Sequence, residues 1–408
     1  MQDGGRKILG NIGNGREGLL ESHTQNWKEE QPYIYWMTSV EGIGSRTIEK
    51  LVNHAGSPRK VYGLKLSDML EIIPKSKAEA LLMAKREGDI LEKYNALKQK
   101  GIQFISIYHP YYPKRLKNIP DAPFGIYVEG KLPEEDIPSI AVIGARQCSD
   151  YGRFMAQRCG KELALEGVNV ISGMAKGIDG ISQRAALEAG GKTYAVLGCG
   201  TDICYPSENR NVYIKAKENG AVISEYPPGT KPVSRLFPRR NRIISGLADI
   251  VLIVEAREKS GTLITADMAL EQGKEVYVIP GRITDCLSQG CLRLIKQGAG
   301  IFTNIGELLE ETGLRNRLPG KSGAICLKTG RNGGGLEGRG GNENGGGQEK
   351  YQGKKEKKIL DILDFYPKNI DRLMQETGME YRELICALSR LCMEEKAVKV
   401  GAGQFKKG

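Results

Sequence analysis

The segment Val168-Asn169-Val170-Ile171-Ser172-Gly173-Met174-Ala175-Lys176-Gly177-Ile178-Asp179-Gly180 decides the fold of the central part of the chain. It opens with a short, mostly β-branched run that is typical of a buried strand. It then passes through small residues into a helix-length segment that Asp179 is placed to cap. From Ile137 to about Gly313, strand-like runs alternate in this way with amphipathic segments. The alternation predicts an α/β fold in which a doubly wound parallel sheet carries helices on both faces.

Seven strands and six helices are predicted in this region. The strands are Ile140–Ile143, Val168–Ile171, Thr193–Leu197, Ala221–Ser224, Ile250–Val254, Glu275–Ile279 and Ile301–Phe302. The helices are Tyr151–Glu166, Asp179–Ala189, Ser207–Asn219, Arg239–Gly246, Thr262–Gln272 and Ser288–Gln297. Ligands of such sheets bind beyond the carboxyl ends of the strands, so the loops that follow the strands form the candidate site.

Three of these loops are rich in small residues. Gly144-Ala145-Arg146 follows the first strand, Ser172 through Gly177 follows the second, and Ser260-Gly261-Thr262 follows the fifth. Small residues let the backbone amides at the next helix N-terminus face an anion, and a cationic side chain stands in the first two loops. The predicted contacts are Gly144, Arg146, Ser172, Gly173, Lys176, Gly177, Ser260, Gly261 and Thr262.

The fourth junction carries a basic cluster, Phe237-Pro238-Arg239-Arg240-Asn241-Arg242-Ile243-Ile244-Ser245-Gly246. With Lys231 and Arg235 upstream, it places five cations in twelve residues and no anion among them. Guanidinium groups match phosphate oxygens and an aromatic ring stacks on a base, as a nucleic-acid strand requires. The predicted contacts are Arg235, Phe237, Arg239, Arg240, Asn241 and Arg242. The alternative is a solvated helix face with Phe237 in the core.

The N-terminal part is predicted to hold a disordered tail (1–31) and a helical module (32–100), followed by the sheet domain (101–318). Within the module, Val40-Glu41-Gly42-Ile43-Gly44 lies between two helical patterns. It resembles the turn of a helix-hairpin-helix, where glycines bring backbone amides close to a DNA phosphate. Gly42 and Gly44 are therefore candidate secondary DNA contacts, and a plain turn between helices is the alternative.

The C-terminal part is predicted to hold a Gly-rich flexible linker (319–353) and a small domain (354–408). The apolar pattern indicates helices near Ile359–Leu363, Ile370–Thr377 and Tyr381–Glu395, and then a β-hairpin from Ala397 to Phe405. This arrangement is typical of a winged helix. The third helix carries several glutamates, which suit a phosphate-lined groove poorly, so a protein-contact role stands beside DNA binding.

Composition favours a polyanionic partner. The 408 residues carry a formal net charge of +11, and the sequence pI is about 9.0. We expect no transmembrane helix and no signal peptide, because long apolar runs are missing from the sequence. The nine scattered cysteines are expected to be reduced thiols. These features predict a cytoplasmic protein without a membrane partner.

Catalysis and cofactors are not expected. No loop matches a dinucleotide-binding Gly-x-Gly-x-x-Gly or a Walker A sequence. All three histidines lie outside the alternating region, so a Ser–His or Cys–His pair is not available there. The pairs Cys199/Cys204 and Cys286/Cys291 make a four-thiolate metal site conceivable, but their spacing is longer than usual. We predict a binding protein that is not an enzyme and holds no metal or cofactor.

The central motifs occur in a specific order. They are Gly144-Ala145-Arg146, Ser172-Gly173-x-Ala175-x-Gly177-Ile178-Asp179, Leu197-Gly198-Cys199-Gly200, Tyr205-Pro206-x-Glu208-Asn209, Phe237 through Gly246, Glu255-Ala256 and Ser260 through Ala266. Together they closely resemble the DNA-processing protein A family (DprA, also called Smf). The resemblance runs from about Tyr33 to Phe302 and resumes in the C-terminal module. Ala145 and Arg282 are departures, since Ser is usual at both positions.

The resemblance implies an extended Rossmann-like domain that binds single-stranded DNA in a basic pocket and forms a homodimer. It also implies protection of incoming DNA and loading of the RecA recombinase in natural transformation. The N-terminal helix-hairpin-helix (SAM-like) module and the C-terminal winged helix vary among such proteins. The pocket residues that it implies are Arg146, Gly173, Lys176, Phe237, Arg239, Arg240 and Arg242.

Two other functions compete with this one. The loops are also similar to those of phosphoribohydrolases of the lysine-decarboxylase-like (LOG) type, whose Pro-Gly-Gly-x-Gly-Thr-x-x-Glu motif supplies a carboxylate. Thr265 stands at the position of that carboxylate here, which argues against this activity. A winged-helix transcription regulator would instead bind duplex DNA through residues 354–408 and use the sheet domain as an effector sensor.

Overall fold

The computed structural model describes residues 26–318, 347–401 and 403–408. The chain divides into two compact units, one up to Ala324 and one from Ile325 onward. Most of the predicted tail and linker lies outside the described residues. Within the described ranges, none of the helices is both long and apolar enough to cross a membrane.

Six helices open the first unit: α1 (Trp27–Ser39), α2 (Ser45–Ala55), α3 (Pro58–Gly63), α4 (Leu66–Leu70), α5 (Lys75–Arg86) and α6 (Ile90–Gln99). Helix α1 begins inside the range predicted as a tail, and its first turn carries Glu29 and Glu30, which favour a helix N-terminus. The side-chain amide of Gln31 donates a 2.8 Å hydrogen bond to the carbonyl of Phe104. These helices therefore share a core with the sheet.

Nine strands form one sheet: β1 (Gln103–Ser106), β2 (Gly125–Gly130), β3 (Ser139–Ile143), β4 (Asn169–Ser172), β5 (Thr193–Leu197), β6 (Gly220–Ser224), β7 (Ile250–Ile253), β8 (Glu275–Val278) and β9 (Gly300–Ile301). Their order is β1-β2-β6-β5-β4-β3-β7-β8-β9. In this spatial order, the seven strands from β6 through β3 to β9 run parallel to one another. Strand β2 is antiparallel to both β1 and β6. All seven predicted strands are present, each within one residue of its predicted ends. Sequence analysis missed β1 and β2 because antiparallel neighbours need no crossover helix.

Eight more helices complete this unit: α7 (Lys114–Lys117), α8 (Asp150–Leu165), α9 (Ile178–Glu188), α10 (Arg210–Glu218), α11 (Leu236–Leu247), α12 (Gly261–Glu271), α13 (Gln289–Lys296) and α14 (Ile305–Glu311). The six predicted helices correspond to α8 through α13. Two differ at their N-termini: a 3₁₀ turn (Ser207–Asn209) precedes α10, and α11 begins at Leu236, ahead of the predicted Arg239. Phe237 therefore lies in the first turn of α11.

Both faces of the sheet are covered. Along β3, Ala141 and Ile143 belong to one buried cluster with α11 and α12, whereas Ile140 and Val142 belong to another with α8 and α14. A strand buried on both sides has no polar face, which explains its unbroken apolar sequence. The predicted α/β fold with a mostly parallel sheet is confirmed. The chain steps from β3 to β6 toward one edge of the sheet and from β7 to β9 toward the other. The crossover direction therefore reverses between β3 and β7, and such a reversal opens a crevice at the carboxyl ends of the strands.

The second unit contains α15 (Gly347–Ile362), β10 (Lys368–Asn369), α16 (Ile370–Thr377), α17 (Tyr381–Met393), β11 (Ala397–Gly401) and β12 (Gln404–Lys407). Strand β12 pairs antiparallel with β11, so the predicted hairpin is confirmed, and it also pairs with β10. Gly378 ends α16 with a φ of +64°, a left-handed conformation that favours glycine. The unit has its own buried core, which includes Leu373, Leu384 and Leu388.

Helices α8 and α9 pack closely at Gly160, and this contact allows a test of the fold. A β-carbon at Gly160 would overlap the carbonyl oxygen of Ser182, which is backbone and cannot swing away. We expect Gly160→Ala to lower the free energy of unfolding by about 1–3 kcal/mol, the usual cost of overpacking. Urea denaturation followed by circular dichroism measures this loss. Gly63→Ala is the control, since a β-carbon there meets nothing; equal stability of the two variants would contradict the close packing.

Candidate nucleic-acid interface

The loops at the carboxyl edge of the sheet lie side by side because their strands are neighbours. The strand order β6-β5-β4-β3-β7 brings together the segments that follow these five strands. Arg146 follows β3, Lys176 follows β4, Tyr205 follows β5 and Phe237 follows β6. The sheet therefore gathers at one edge the motifs that are separated along the chain.

An internal carboxylate, Asp179, closes the loop after β4. Asp179 lies in the first turn of α9, is buried, and accepts a 3.2 Å hydrogen bond from the amide of Gly173. Desolvation raises the pKa of this carboxyl group, while Arg240 and the amides of Gly173, Ala175 and Gly144 oppose that shift. The sequence predicted that the amides of Gly144 and Gly173 face an external phosphate. In the structure the protein's own carboxylate takes that place.

A second internal carboxylate, Glu255, closes the loop after β3. Glu255 follows β7, is buried, and accepts a 3.0 Å hydrogen bond from the amide of Ser149 at the N-terminus of α8. The Ser149 hydroxyl also donates to Glu255. A β-carbon at Gly152 would overlap this carboxylate, so the glycine makes room for it. The N-terminus of α8 is thus already satisfied by an anion.

Arg240 is buried and spans the ends of two strands. Its side chain is 4% exposed, and its guanidinium donates to the carbonyl oxygens of Gly173, at 2.7 Å, and Val196. Its Nε donates to the Oδ1 of Asn241 at 3.3 Å. Desolvation lowers the pKa of Arg240 to about 10, although the nearby Asp179 raises it. Arg240 therefore organises the edge from inside.

Arg242 is also buried by its partners. It forms ion pairs with Glu225 at 2.7 Å and Asp121 at 3.2 Å. The Glu225 and Asp121 carboxylates raise the pKa of Arg242 despite its burial. Ser172 is buried as well, and its hydroxyl donates to the carbonyl of Val142 at 2.6 Å. The structure thus gives Arg242 and Ser172, like Arg240, internal partners.

Gly177 contributes its conformation. It has a φ of +75°, and a β-carbon there would overlap the backbone of Ala145 and Arg146. The amide of Ile178 also donates to the carbonyl of Ala145 at 3.2 Å. Gly177 therefore lets the loops after β3 and β4 touch.

An arginine and two aromatic rings lie together at the edge. The ring of Phe237 stacks on that of Tyr205, with centroids 5.6 Å apart and an interplanar angle of 23°. The guanidinium carbon of Arg146 lies 5.6 Å from the Phe237 centroid. Phe237 is half-buried against Gly198, whereas Tyr205 is 45% exposed. We call this group the Arg146–Phe237–Tyr205 cluster.

Tyr205 is a member of this cluster that sequence analysis did not assign to the site. The motif Tyr205-Pro206 contributed to the family resemblance, but no strand or helix boundary indicated that its ring would meet Phe237. The available signal was an aromatic residue in a loop that follows a strand. In the structure, the ring of Tyr205 is more exposed than that of Phe237.

Two exposed cations at or beside the edge hold carboxylates. Lys176 pairs with Glu208, and Arg235 pairs with Glu41 at 3.0 Å. The side chains of both pairs are more than half exposed, and exposed pairs contribute little to stability. The hydrogen bond from Lys176 lowers the pKa of Glu208. The carboxylate at each position is therefore weakly held.

The loop after β7 remains open. Ser260 precedes α12 without forming a side-chain cap, and a β-carbon at Gly261 would meet nothing within 4 Å. Thr262 is half-buried in the first turn. Thr265, which stands at the position of the LOG carboxylate, is buried and donates to the carbonyl of Gly261 at 3.5 Å.

The predicted secondary contacts lie in a different place from the Arg146–Phe237–Tyr205 cluster. Gly42 and Gly44 line a groove of about 1070 Å³ together with Arg235 and Arg239. Arg239 is exposed, unlike its neighbour Arg240. Within the basic segment, Phe237 thus lies at the carboxyl edge, whereas Arg239 lines the groove.

All the cysteines that the structure describes are free thiols. In the parts of the chain that the structure describes, no three His, Cys, Asp or Glu side chains are grouped so as to hold a metal ion. Burial raises the pKa of Cys199 to about 11 and that of Cys291 to about 12, which keeps both as thiols. Cys286 is exposed and Cys204 half-buried.

Comparison with known proteins gives consistent matches over the sheet region. The family model described as "DNA recombination-mediator protein A" matches residues 103–313. The "DNA processing protein DprA" of Streptococcus pneumoniae is 43% identical over 207 residues, which cover 51% of this chain and 73% of that protein. "Protein Smf" of Synechocystis is 32% identical over 290 residues, covering 70% of this chain and 73% of that protein.

A solved structure extends the similarity to three dimensions. The X-ray structure of DNA processing protein A (DprA) from Streptococcus pneumoniae aligns with a TM-score of 0.59 and 35% sequence identity. The alignment covers 69% of this chain and 97% of that chain. The relative thus shares the α/β architecture that carries the edge.

Arg240 is buried and its neighbour Arg239 is exposed, so substitutions at the two positions test whether Arg240 stabilises the fold. We expect Arg240→Gln to lower the free energy of unfolding by about 3–5 kcal/mol, because it removes a buried charge and leaves Asp179 without its compensating cation. Arg239→Gln should change it by less than about 0.5 kcal/mol, since Arg239 is exposed. Urea titration measures both. Similar losses in the two variants would contradict the internal role of Arg240.

Proposed function

The chain belongs to the DNA recombination-mediator protein A family, and we propose that it binds single-stranded DNA along the carboxyl edge of its sheet. The observation that carries this proposal is the Arg146–Phe237–Tyr205 cluster, in which an exposed arginine and two stacked rings lie together. Relatives in the family are described as DNA-processing proteins. Cations at the edge provide contacts for phosphates, and the rings provide a surface for bases.

The exposed ring favours a single strand over a duplex. The ring of Tyr205 is 45% exposed, and it stacks on the ring of Phe237. A base that stacks on Tyr205 therefore extends an existing stack. Stacking of a base on an aromatic side chain contributes about 1–3 kcal/mol. Bases in a duplex are already stacked on each other and do not offer a face to the ring. Exposed Arg146 and Lys176 then contact the backbone on either side.

We propose that this binding involves no bond cleavage. The helix N-termini after β3 and β4, where a nucleotide phosphate would otherwise sit, hold Glu255 and Asp179. Thr265, buried on α12, replaces the carboxylate of the LOG motif. These observations favour a strand that rests on side chains at the edge over a mononucleotide held by loop amides.

The finer parts of the proposal rest on the family. We propose that the first unit is an extended Rossmann-like domain with a helix-hairpin-helix (SAM-like) module, and that the second is a winged helix. We further propose that the protein is a cytoplasmic homodimer, which protects incoming DNA and loads the RecA recombinase on it in natural transformation. Two edges on one strand would raise the apparent affinity through effective concentration.

Fluorescence anisotropy tests the central proposal. A labelled single-stranded oligonucleotide and its duplex are titrated with the full chain over a series of salt concentrations. We expect strong preference for the single strand and a steep fall of affinity with salt, because phosphate contacts release counterions. Equal affinity for both forms, or no binding, would overturn the proposal. Release of free base from nucleotides would instead support the phosphoribohydrolase alternative.

Charge reversal at the edge should abolish most of this binding. We expect Arg146→Glu with Lys176→Glu to weaken single-strand affinity by about a hundredfold, since each removed phosphate contact is replaced by repulsion. The same anisotropy titration measures the effect. Lys161→Glu with Arg184→Glu changes the net charge equally at exposed positions within α8 and α9. Equal losses in both double variants would show a general charge effect and no site at the edge.

Neutralising Glu208 should have the opposite effect. Glu208 holds Lys176, so Glu208→Gln frees the ammonium group for a phosphate and removes a repelling charge. We expect single-strand affinity to rise about three- to tenfold. Glu188→Gln is the control, because Glu188 is exposed and lies at the C-terminal end of α9, away from Lys176. Unchanged or weaker binding by Glu208→Gln would remove Lys176 from the proposed contacts.

A further inference from the structure

A groove runs beside the carboxyl edge, between the α1–α2 turn and the segment that follows β6. Its volume is about 1070 Å³, and one wall consists of residues 38–48. The opposite wall includes Lys231, Arg235 and Arg239, which belong to the basic segment. Ser45 and Glu225 meet across its floor, with a hydroxyl-to-carboxylate distance of 3.4 Å. We call it the turn groove.

The turn groove carries an excess of positive charge. Six of its lining residues are cationic and three are acidic. The acids already have partners, because Asp121 and Glu225 pair with Arg242 and Glu41 pairs with Arg235. Within the described residues, Arg46, Lys231 and Arg239 form no ion pair and are exposed. Three cations from two separate parts of the chain therefore face one channel without internal anions to neutralise them.

The backbone of the α1–α2 turn adds donors to the same wall. Gly42 has a φ of +84°, and Gly44 precedes α2, an 11-residue helix, without a side-chain cap. The amides of Thr47 and Ile48 bond to the Gly44 carbonyl, which leaves those of Ser45 and Arg46 as the unsatisfied first amides of the helix. A β-carbon on Gly44 would meet nothing within 4 Å, so the approach to these amides is open.

The turn groove is continuous with the proposed binding edge through one helix. Phe237, Arg239 and Arg235 lie in or next to the first turn of α11. Phe237 belongs to the Arg146–Phe237–Tyr205 cluster, whereas Arg235 and Arg239 line the groove. The first turn of α11 therefore joins the stacked rings to the turn groove.

We propose that the turn groove binds the sugar-phosphate backbone of the same nucleic-acid strand beyond the edge. Arg46, Lys231 and Arg239 would hold its phosphates, and the amides of Ser45 and Arg46 would receive one phosphate at the N-terminus of α2. Arg235 would join them once a phosphate displaces Glu41. This inference rests on the proposed function, since the groove extends that site. It predicts that the groove matters for long oligonucleotides and not for short ones.

Gly44 offers a variant that separates binding from folding. Gly44→Asp places a carboxylate at the N-cap of α2, where Asp stabilises helices and where the open space admits it. We expect an unchanged or higher melting temperature. Affinity for a labelled oligothymidylate of about 30 nucleotides should fall at least about tenfold, while affinity for one of about 6 nucleotides should stay within about twofold. Gly44→Ser is the neutral-cap control and should lose less.

Arg46→Glu and Lys50→Glu complete the experiment. Both lie on α2 and are exposed, but Arg46 lines the groove and Lys50 does not. We expect the length-dependent loss from Arg46→Glu and little change from Lys50→Glu. Equal affinity of Gly44→Asp, Arg46→Glu and the unaltered protein for the long strand would overturn the groove proposal. So would equal losses for both lengths. If the unaltered protein binds neither length, the proposed function itself fails, and the two failures are thereby distinguished.

Discussion

The carboxyl edge depends on one buried charge, the guanidinium of Arg240. Parallel strands that end together leave carbonyl oxygens pointing into the crevice, and buried carbonyls need donors. Arg240 supplies them to Gly173 and Val196, on two neighbouring strand ends. A buried cation in turn requires a compensating anion, and Asp179 provides it while tying the adjacent loop amides. The loops thus reach a fixed geometry before any ligand arrives.

The arginines of the basic segment have two different structural roles. Along the sequence, the arginines form one cationic run, but successive side chains of a helix point about 100° apart, so neighbouring arginines meet different surroundings. Arg240 and Arg242 turn inward, whereas Arg235 and Arg239 turn outward. Inward arginines hold strand ends and carboxylates together, and outward ones remain for a ligand. The same residue type therefore stabilises the edge at Arg240 and Arg242 and, in the proposed function, contacts DNA at Arg235 and Arg239.

Much of the fold follows from the sequence because parallel strands buried on both faces are unbroken apolar runs. The run Ile140–Ile143 is such a case, and all predicted strands appear. The site was harder to predict for two physical reasons. Small residues before a helix favour an anion, but the sequence does not say whether that anion is a ligand or a remote side chain such as Glu255. Stacking between Tyr205 and Phe237 depends on tertiary packing that no local pattern encodes.

The exposed ion pairs determine how strongly each cation of the edge would hold a phosphate. Lys176 and Arg235 already hold carboxylates at the surface, so a phosphate replaces an anion rather than adding one. Exchange of one exposed anion for another has a small free-energy difference, because the cation is solvated and paired in both states. Each contact is therefore weak, and affinity requires several contacts along one strand. In the proposed function, a site built in this way would release a strand one phosphate at a time.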